Sequence, residues 1–366
     1  MKIAIAVNHS HPHVRGSETV TKQIAEGLTS KFGYDCTIFS TTTSDPFEHN
    51  GVKYKKCFNN HMDFLKQVNG NFDRLLVYSD LFVHWPRLVH NISAVKCPVI
   101  LAPVGLNGAL KRSTIMSKMK TFKDKLKFIV HTDGYHDQRI LEDMGAEVYC
   151  IPNAIDLNEF DNCEEIDVLS KYEIREGRLN ILNVSNFFPN KGQDILPSAL
   201  GGIESKANVI LISSAQSYML NKQLRSRAKR GFESAQIHAR LLEDIPRNEI
   251  INFYRQCDVF VFPSLIESFG IVPMEAMACR KPWVSFPVGN MKNFKGGKLV
   301  KEGFSVNMEG KITPQQASLH RFGVEVHRLV TDQNLREELG LEGRKQIEQE
   351  YSLDVVIDKY KEVICG

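Results

Sequence analysis

The run Pro263-Ser264-Leu265-Ile266-Glu267-Ser268-Phe269-Gly270-Ile271-Val272-Pro273-Met274-Glu275-Ala276-Met277-Ala278 holds two glutamates with seven residues between them. Glu267 falls in a Ser/Gly-containing turn that follows the apolar run Val259 to Phe262, and Glu275 falls inside a stretch that reads as a helix. A strand, a turn of small residues and a helix with a carboxylate one turn in form an arrangement suited to nucleotides. The first N–H groups of a helix lack intrahelical partners and sit at the positive end of its dipole, so they favour a phosphate. A carboxylate can accept two hydroxyl hydrogen bonds from a ribose or a hexose.

The elements that must position these residues are legible as an alternation. Lys2–Val7 is a short apolar run and predicts a strand, and Glu18 to Leu28 carries Val20, Ile24 and Leu28 at helical spacing. Cys36–Ser40, Leu75–Tyr78, Val99–Leu101, Phe128–His131 and Val148–Ile151 predict further strands. The pattern restarts with strands expected at Asn180–Val184, Val209–Ile212, Val259–Phe262 and Trp283–Phe286. Helices are expected near 191–200, 217–229, 247–256, 270–279 and 333–349. Strands alternating with helices argue an α/β, doubly wound parallel sheet, here occurring twice.

The chain has 366 residues, enough for two cores, and a net charge of +3, too small to argue nucleic-acid binding. No apolar run approaches the roughly 18 residues that span a bilayer, and the first residues read as a buried strand rather than a signal peptide. The eight cysteines, at 36, 57, 97, 150, 163, 257, 279 and 365, form no Cys-x-x-Cys pair. They are expected to be reduced, in a cytoplasmic protein.

The signature Pro-Ser-x-x-Glu-Ser-Phe-Gly-x-x-x-x-Glu-Ala-Met-Ala resembles the Glu-x7-Glu signature of retaining nucleotide-sugar glycosyltransferases of family 4, which have the GT-B fold. Pro152-Asn153-Ala154-Ile155-Asp156 with Phe160 resembles the hinge of that family. Val184 to Gly192 resembles its strand, loop and Lys-Gly phosphate clamp, and Glu249 to Val261 resembles the segment before the signature. The resemblance implies two facing Rossmann-like domains with a cleft between them: 1–156 for the acceptor, a linker at 157–178, 179–350 for the donor, and a last helix, 351–366, crossing back to the first domain. It implies a retaining, metal-independent transfer from a UDP- or GDP-linked sugar to a glycan, lipid-linked or small-molecule hydroxyl. No cofactor or metal beyond that donor is expected.

By the same resemblance Lys191 meets the pyrophosphate as charge builds on the leaving oxygen. A cation at a helix start opposes the dipole, so Lys191 is mildly unfavourable as a purely structural residue. Glu267 meets donor-sugar hydroxyls, and the amides of Ser268, Phe269, Gly270 and Ile271 lie near sugar and phosphate oxygens. Glu275 binds the ribose. Gly16 and Ser17 stand where a Gly-Gly turn approaches the β-phosphate. Two departures bear on activity. Asn186 replaces the arginine expected five residues before the lysine, and an amide cannot replace a bidentate cation. Val104 replaces a histidine that contacts the donor sugar. Ser213-Ser214 also replaces a Gly-x-Gly turn, and Gly289-Asn290-Met291-Lys292 lacks a downstream acid. A catalytically weakened binding subunit is therefore one alternative, and an epimerase on the same fold is another.

Three further features remain. His9, His11 and His13 alternate but lack an acid or cysteine nearby to complete a metal set. His13 and Arg15 could instead touch acceptor or phosphate, or form a plain surface loop. Lys118, Lys120, Lys123, Lys125 and Lys127 flank Met119, Phe122 and Leu126, which suggests peripheral contact with the inner face of an anionic membrane. A second basic cluster, Lys222 to Arg230, lacks an apolar face, and neither is interleaved with aromatics as a single-strand nucleic-acid site would be.

Overall fold

A computed structural model gives the architecture, and the structure describes residues 1–10, 16–43, 45–57, 61–79, 91–103, 113–133, 136–203, 205–215, 218–301, 303–306 and 312–366. The chain forms two compact units, Met1–Asp156 with Tyr351–Gly366, and Leu157–Glu350. His11, His13, Arg15 and Val104 lie outside the described residues, as do the surroundings of the Lys118 side chain.

The first unit is built on eight strands: β1 (Lys2–Val7), β2 (Asp35–Ser40), β3 (Phe47–His49), β4 (Val52–Lys56), β5 (Arg74–Ser79), β6 (Val99–Pro103), β7 (Leu126–Val130) and β8 (Glu147–Cys150). They lie in the order β3-β4-β2-β1-β5-β6-β7-β8. All pairings are parallel except β3 with β4. The central strands are near-continuous apolar runs because helices cover both faces of a parallel sheet. The helix Leu353–Cys365 belongs to this unit. Its Ile357 lies against Gly27 of the helix Gly16–Phe32, and Lys31 pairs with Asp358 at 2.9 Å.

The Lys118–Lys127 segment departs from its sequence reading. Met119 and Leu126 are buried in the core of this unit, with Phe122 packed against it. The apolar side expected to meet a membrane is spent on the fold. Lys123 and Lys127 donate to the carbonyls of Gly145 and Val363, while Lys120 and Lys125 are exposed.

The second unit has six parallel strands: β9 (Leu179–Val184), β10 (Ala207–Ser213), β11 (Ala239–Glu243), β12 (Val259–Phe262), β13 (Trp283–Ser285) and β14 (Gly297–Leu299). Their order is β11-β10-β9-β12-β13-β14. Residues 157–178 fall in this unit and carry the short helices Leu157–Asp161 and Val168–Lys171. A two-stranded antiparallel ribbon, β15 (Phe304–Val306) with β16 (Ile312–Pro314), lies apart from the main sheet.

Candidate functional site

The sheet of the second unit reverses its winding between β9 and β12. From β9 the chain winds outward through β10 and β11, and from β12 it winds the other way through β13 and β14. Loops leaving the carboxyl ends of two such neighbours diverge and open a crevice, the usual ligand place in an open α/β sheet. Both sequence-predicted segments stand there. Residues 185–192 follow β9, and residues 263–270 follow β12.

Backbone contacts fasten these loops together. Leu265 N–H donates to the Asn190 carbonyl at 2.8 Å. Gly192 has φ +71°, and a Cβ there would lie 2.2 Å from the Pro263 carbonyl oxygen, so only glycine allows this approach. Gln193 is buried and donates from Nε2 to the carbonyls of Ser185 and Asn186 at 2.8 and 2.9 Å, which closes the first loop on itself. Lys191, at the end of that loop, forms an ion pair with Glu267 on the other.

The second loop turns into the helix Ile271–Ala278 through Gly270, which has φ +106°, and no side chain caps that helix. Its first turn therefore points N–H groups outward, except at Pro273, which has none. Phe269 is buried edge-on against Phe294, and its carbonyl accepts from Asn290 N–H at 2.8 Å. Ser268 is exposed at the mouth of the turn. Ser264 is fully buried, and its Oγ has no hydrogen-bond partner among the described residues.

Glu275 lies one turn into the helix with its side chain 8% exposed. One oxygen meets Arg247 Nη1 at 2.7 Å, and the other accepts from Tyr254 Oη at 2.8 Å. Arg247 reaches onward to Glu159 at 2.9 and 3.1 Å and lies over the Phe160 ring. Burial works against the Arg247 charge, but the carboxylates of Glu275 and Glu159 outweigh it and hold the guanidinium above its ordinary value. Burial, reinforced by Glu275, drives the Tyr254 phenol well above its usual range, so it stays a hydrogen-bond donor. An ionised carboxylate offers about four acceptor directions. Two are used here, which leaves capacity for hydroxyl donors.

Asn186 is tied down. Its side-chain oxygen accepts from Ser214 N–H at 3.0 Å and from Ser214 Oγ at 2.7 Å, joining the end of β9 to that of β10. In the first unit Gly16 and Ser17 open their helix, and Ser17 Oγ donates to Glu18 at 2.9 Å. Among the described residues no group of three or more His, Cys, Asp or Glu could hold a metal ion.

The structure thus brings Lys191, Glu267 and the Ser268–Ile271 turn to one crevice in the second unit, with Glu275 on the helix behind them. Sequence reasoning missed Gln193, Arg247 and Tyr254. A signal existed for Arg247: it is the first residue of the helix Arg247–Gln256, where a cation opposes the dipole.

Residues 166–346, just under half the chain, match the family model described as Glycosyl transferases group 1. Over its whole length the chain superposes on Anabaena Alr3699/HepE in complex with UDP and glucose, with a TM-score of 0.74, 16% identity and 100% of both chains covered. A sucrose-phosphate synthase from Thermosynechococcus elongatus gives a TM-score of 0.76 at 16% identity, covering 99% of this chain and 98% of the other. The fold is GT-B. Among curated sequences, an uncharacterized glycosyltransferase, MJ1178, of Methanocaldococcus jannaschii is 30% identical over 175 residues, 46% of this chain and 44% of that protein. A D-inositol 3-phosphate glycosyltransferase of Thermobifida fusca is 30% identical over 128 residues, 34% of this chain and 27% of that one. The chain thus spans less than half the length of these relatives. No helix among the described residues is long and apolar enough to cross a membrane.

Proposed function

We propose that the protein is a retaining glycosyltransferase that moves a sugar from a nucleotide-diphosphate sugar to a hydroxyl of a glycan, lipid-linked or small-molecule acceptor. The observation that carries this reading is the Lys191–Glu267 pair at the reversal point between β9 and β12, beside an uncapped helix start. A diphosphate over that helix start competes for Lys191. Once the ammonium turns to the phosphates, the Glu267 oxygen that it held can accept a hydroxyl of the donor sugar. Glu275 accepts the ribose hydroxyls with the directions that Arg247 and Tyr254 leave open. The bond from the anomeric carbon to the diphosphate breaks with its electron pair staying on the phosphate oxygen, which Lys191 and the helix amides stabilise. The acceptor oxygen bonds to that carbon from the same face, and its proton passes to the departing diphosphate.

UDP is the first nucleotide to test, because structural neighbours were solved with UDP or UDP-glucose, and GDP is the second. No cofactor is needed in this reading, and activity surviving a chelator would support metal independence. Any membrane contact of Lys118–Lys127 would rest on charge alone, and vesicle co-sedimentation that weakens with salt would support it.

A second reading is favoured by one observation. The side-chain oxygen at 186 accepts twice from Ser214, and the uncharged amide brings no second cation to the phosphates. That fits a subunit that binds nucleotide sugar or glycan without efficient transfer. A panel of UDP- and GDP-sugars, scored by calorimetric binding and by turnover with candidate acceptors, separates the two. Binding with turnover supports the transferase, binding without turnover supports the partner subunit, and absence of binding to every donor overturns both.

A further inference from the structure

We propose that Arg247 is a positioning residue of the nucleotide site, holding Glu275 in its hydroxyl-accepting orientation and anchoring it to Glu159. This rests on the reading of Glu275 as the ribose acceptor. Three segments of the second unit meet at this side chain. From the helix Arg247–Gln256 come Arg247 itself and Tyr254, from Ile271–Ala278 comes Glu275, and from Leu157–Asp161 come Glu159 and Phe160. The guanidinium uses Nη1 on Glu275 and Nε with Nη2 on Glu159, with its plane over the Phe160 ring.

A planar fork with fixed donor directions orients two carboxylates at once, which an ammonium cannot do. Held on one oxygen by Arg247 and on the other by Tyr254, Glu275 cannot rotate, so its remaining acceptor directions are set before any ligand arrives. Arg247 also supplies the only full positive charge drawn within hydrogen-bond distance of this carboxylate among the described residues. Cys279, at the end of the same helix, and Arg255 and Lys281 near it are the other titratable groups of this neighbourhood. Burial pushes the Cys279 thiol up to about 12, so it brings no negative charge.

The test compares Arg247→Met, Arg247→Lys and Arg247→Met with Glu275→Gln, using UDP and GDP as calorimetric probes from roughly pH 5 to pH 8. Arg247→Met should weaken nucleotide binding by about tenfold, the value of one charge-assisted hydrogen bond. The weakening should grow as pH falls, because a carboxyl that has lost its cation protonates more readily and stops accepting two hydroxyls. Arg247→Lys should restore the pH profile of the unaltered protein, since it keeps the charge, while recovering only part of the affinity. Glu275→Gln should abolish the pH dependence that Arg247→Met creates.

A second measurement needs no nucleotide. In Arg247→Met the ionised Glu275 carboxylate is left buried without its cation, so the loss in Tm should deepen as pH rises across the carboxylate range and level off once the carboxyl is ionised in the folded protein. Glu275→Gln should flatten that curve. Arg247→Met binding nucleotide like the unaltered protein at every pH overturns the inference, as does a uniform loss of affinity that Arg247→Lys shares in full. Failure of the unaltered protein to bind either nucleotide overturns the functional reading instead, and the Tm curves then still decide whether Arg247 acts on Glu275.

Discussion

Lys191 and Glu267 are each other's partner in this structure, and the proposed reaction requires them to separate. Their exposures, 24% and 12%, leave the pair within reach of a ligand while limiting solvent screening. Lys191→Ala should therefore lower kcat by about 10²–10³-fold, the range for losing one group that stabilises developing charge, with a smaller change in the donor KM. Steady-state kinetics with the best donor from the panel checks this, and an unchanged kcat would remove Lys191 from the mechanism. A second residue-scale expectation concerns His131. Its Nδ1–H donates to the Ile151 carbonyl at 2.9 Å, its ring lies 5.1 Å from that of Tyr78, and Nε2 is buried without a partner among the described residues. Burial, partly offset by that hydrogen bond, pulls its pKa down to about 4. The unfolded chain takes up this proton near pH 6.5 and the folded one does not. Stability should thus fall as pH drops from about 6.5 towards 4, by roughly 3 kcal/mol from this group. His131→Gln should flatten that part of a denaturant-unfolding series.

At the scale of elements, the join of the two loops has little tolerance. Gly192→Ala combines a left-handed backbone with a Cβ 2.2 Å from the Pro263 carbonyl. The backbone term alone costs about 1–2 kcal/mol, and the contact adds to it. We expect a Tm lowered by at least about 2–4 °C, read by thermal unfolding, together with weaker donor binding because the loops part. The signature strand, turn and helix were legible in the sequence because each obeys a local rule: an apolar run for β12, a glycine at the turn, and helical spacing through Ala278. β4 and β11 were not. Val52-Lys53-Tyr54-Lys55-Lys56 buries only alternate residues one strand in from the sheet edge, and Ala239 to Glu243 is half-buried as the edge strand of the sheet in the second unit. Such strands are defined by the neighbour they pair with, which no local pattern records. The partners of Glu275 were hidden for the same reason. Tyr254 and Arg247 lie 21 and 28 positions away in sequence, and only the packing of two helices brings them to it.

For the whole molecule, the helix Leu353–Cys365 carries five buried side chains, Val356, Ile357, Tyr360, Val363 and Ile364. Each contributes about 1.5–3 kcal/mol by burial, and their sum rivals the 5–15 kcal/mol of an ordinary domain. Removing residues 353–366 should therefore unfold the first unit, seen as lost cooperative melting and rapid proteolysis within 1–156. An intact melting profile would contradict this. Saturating nucleotide should stabilise the second unit by about 2.7 kcal/mol at a hundredfold excess over Kd. That gain should be absent in Glu275→Ala.

The chain leaves the first unit after Asp156 and re-enters it at Tyr351. At that place Ile155 N–H donates to the Tyr351 carbonyl at 2.8 Å, and Leu353 N–H donates to the Ile155 carbonyl at 2.8 Å. The exit and the return are thus stitched side by side, so residues 157–350 are in topology a cassette plugged into one socket. A cassette with adjacent ends can be exchanged at little cost in loop closure, because the socket already holds those ends together. Replacing 157–350 with the corresponding half of another GT-B protein should leave the first unit folded. Ligand binding at the crevice between β9 and β12 should then follow the inserted half, while the surface of the first unit stays as it was.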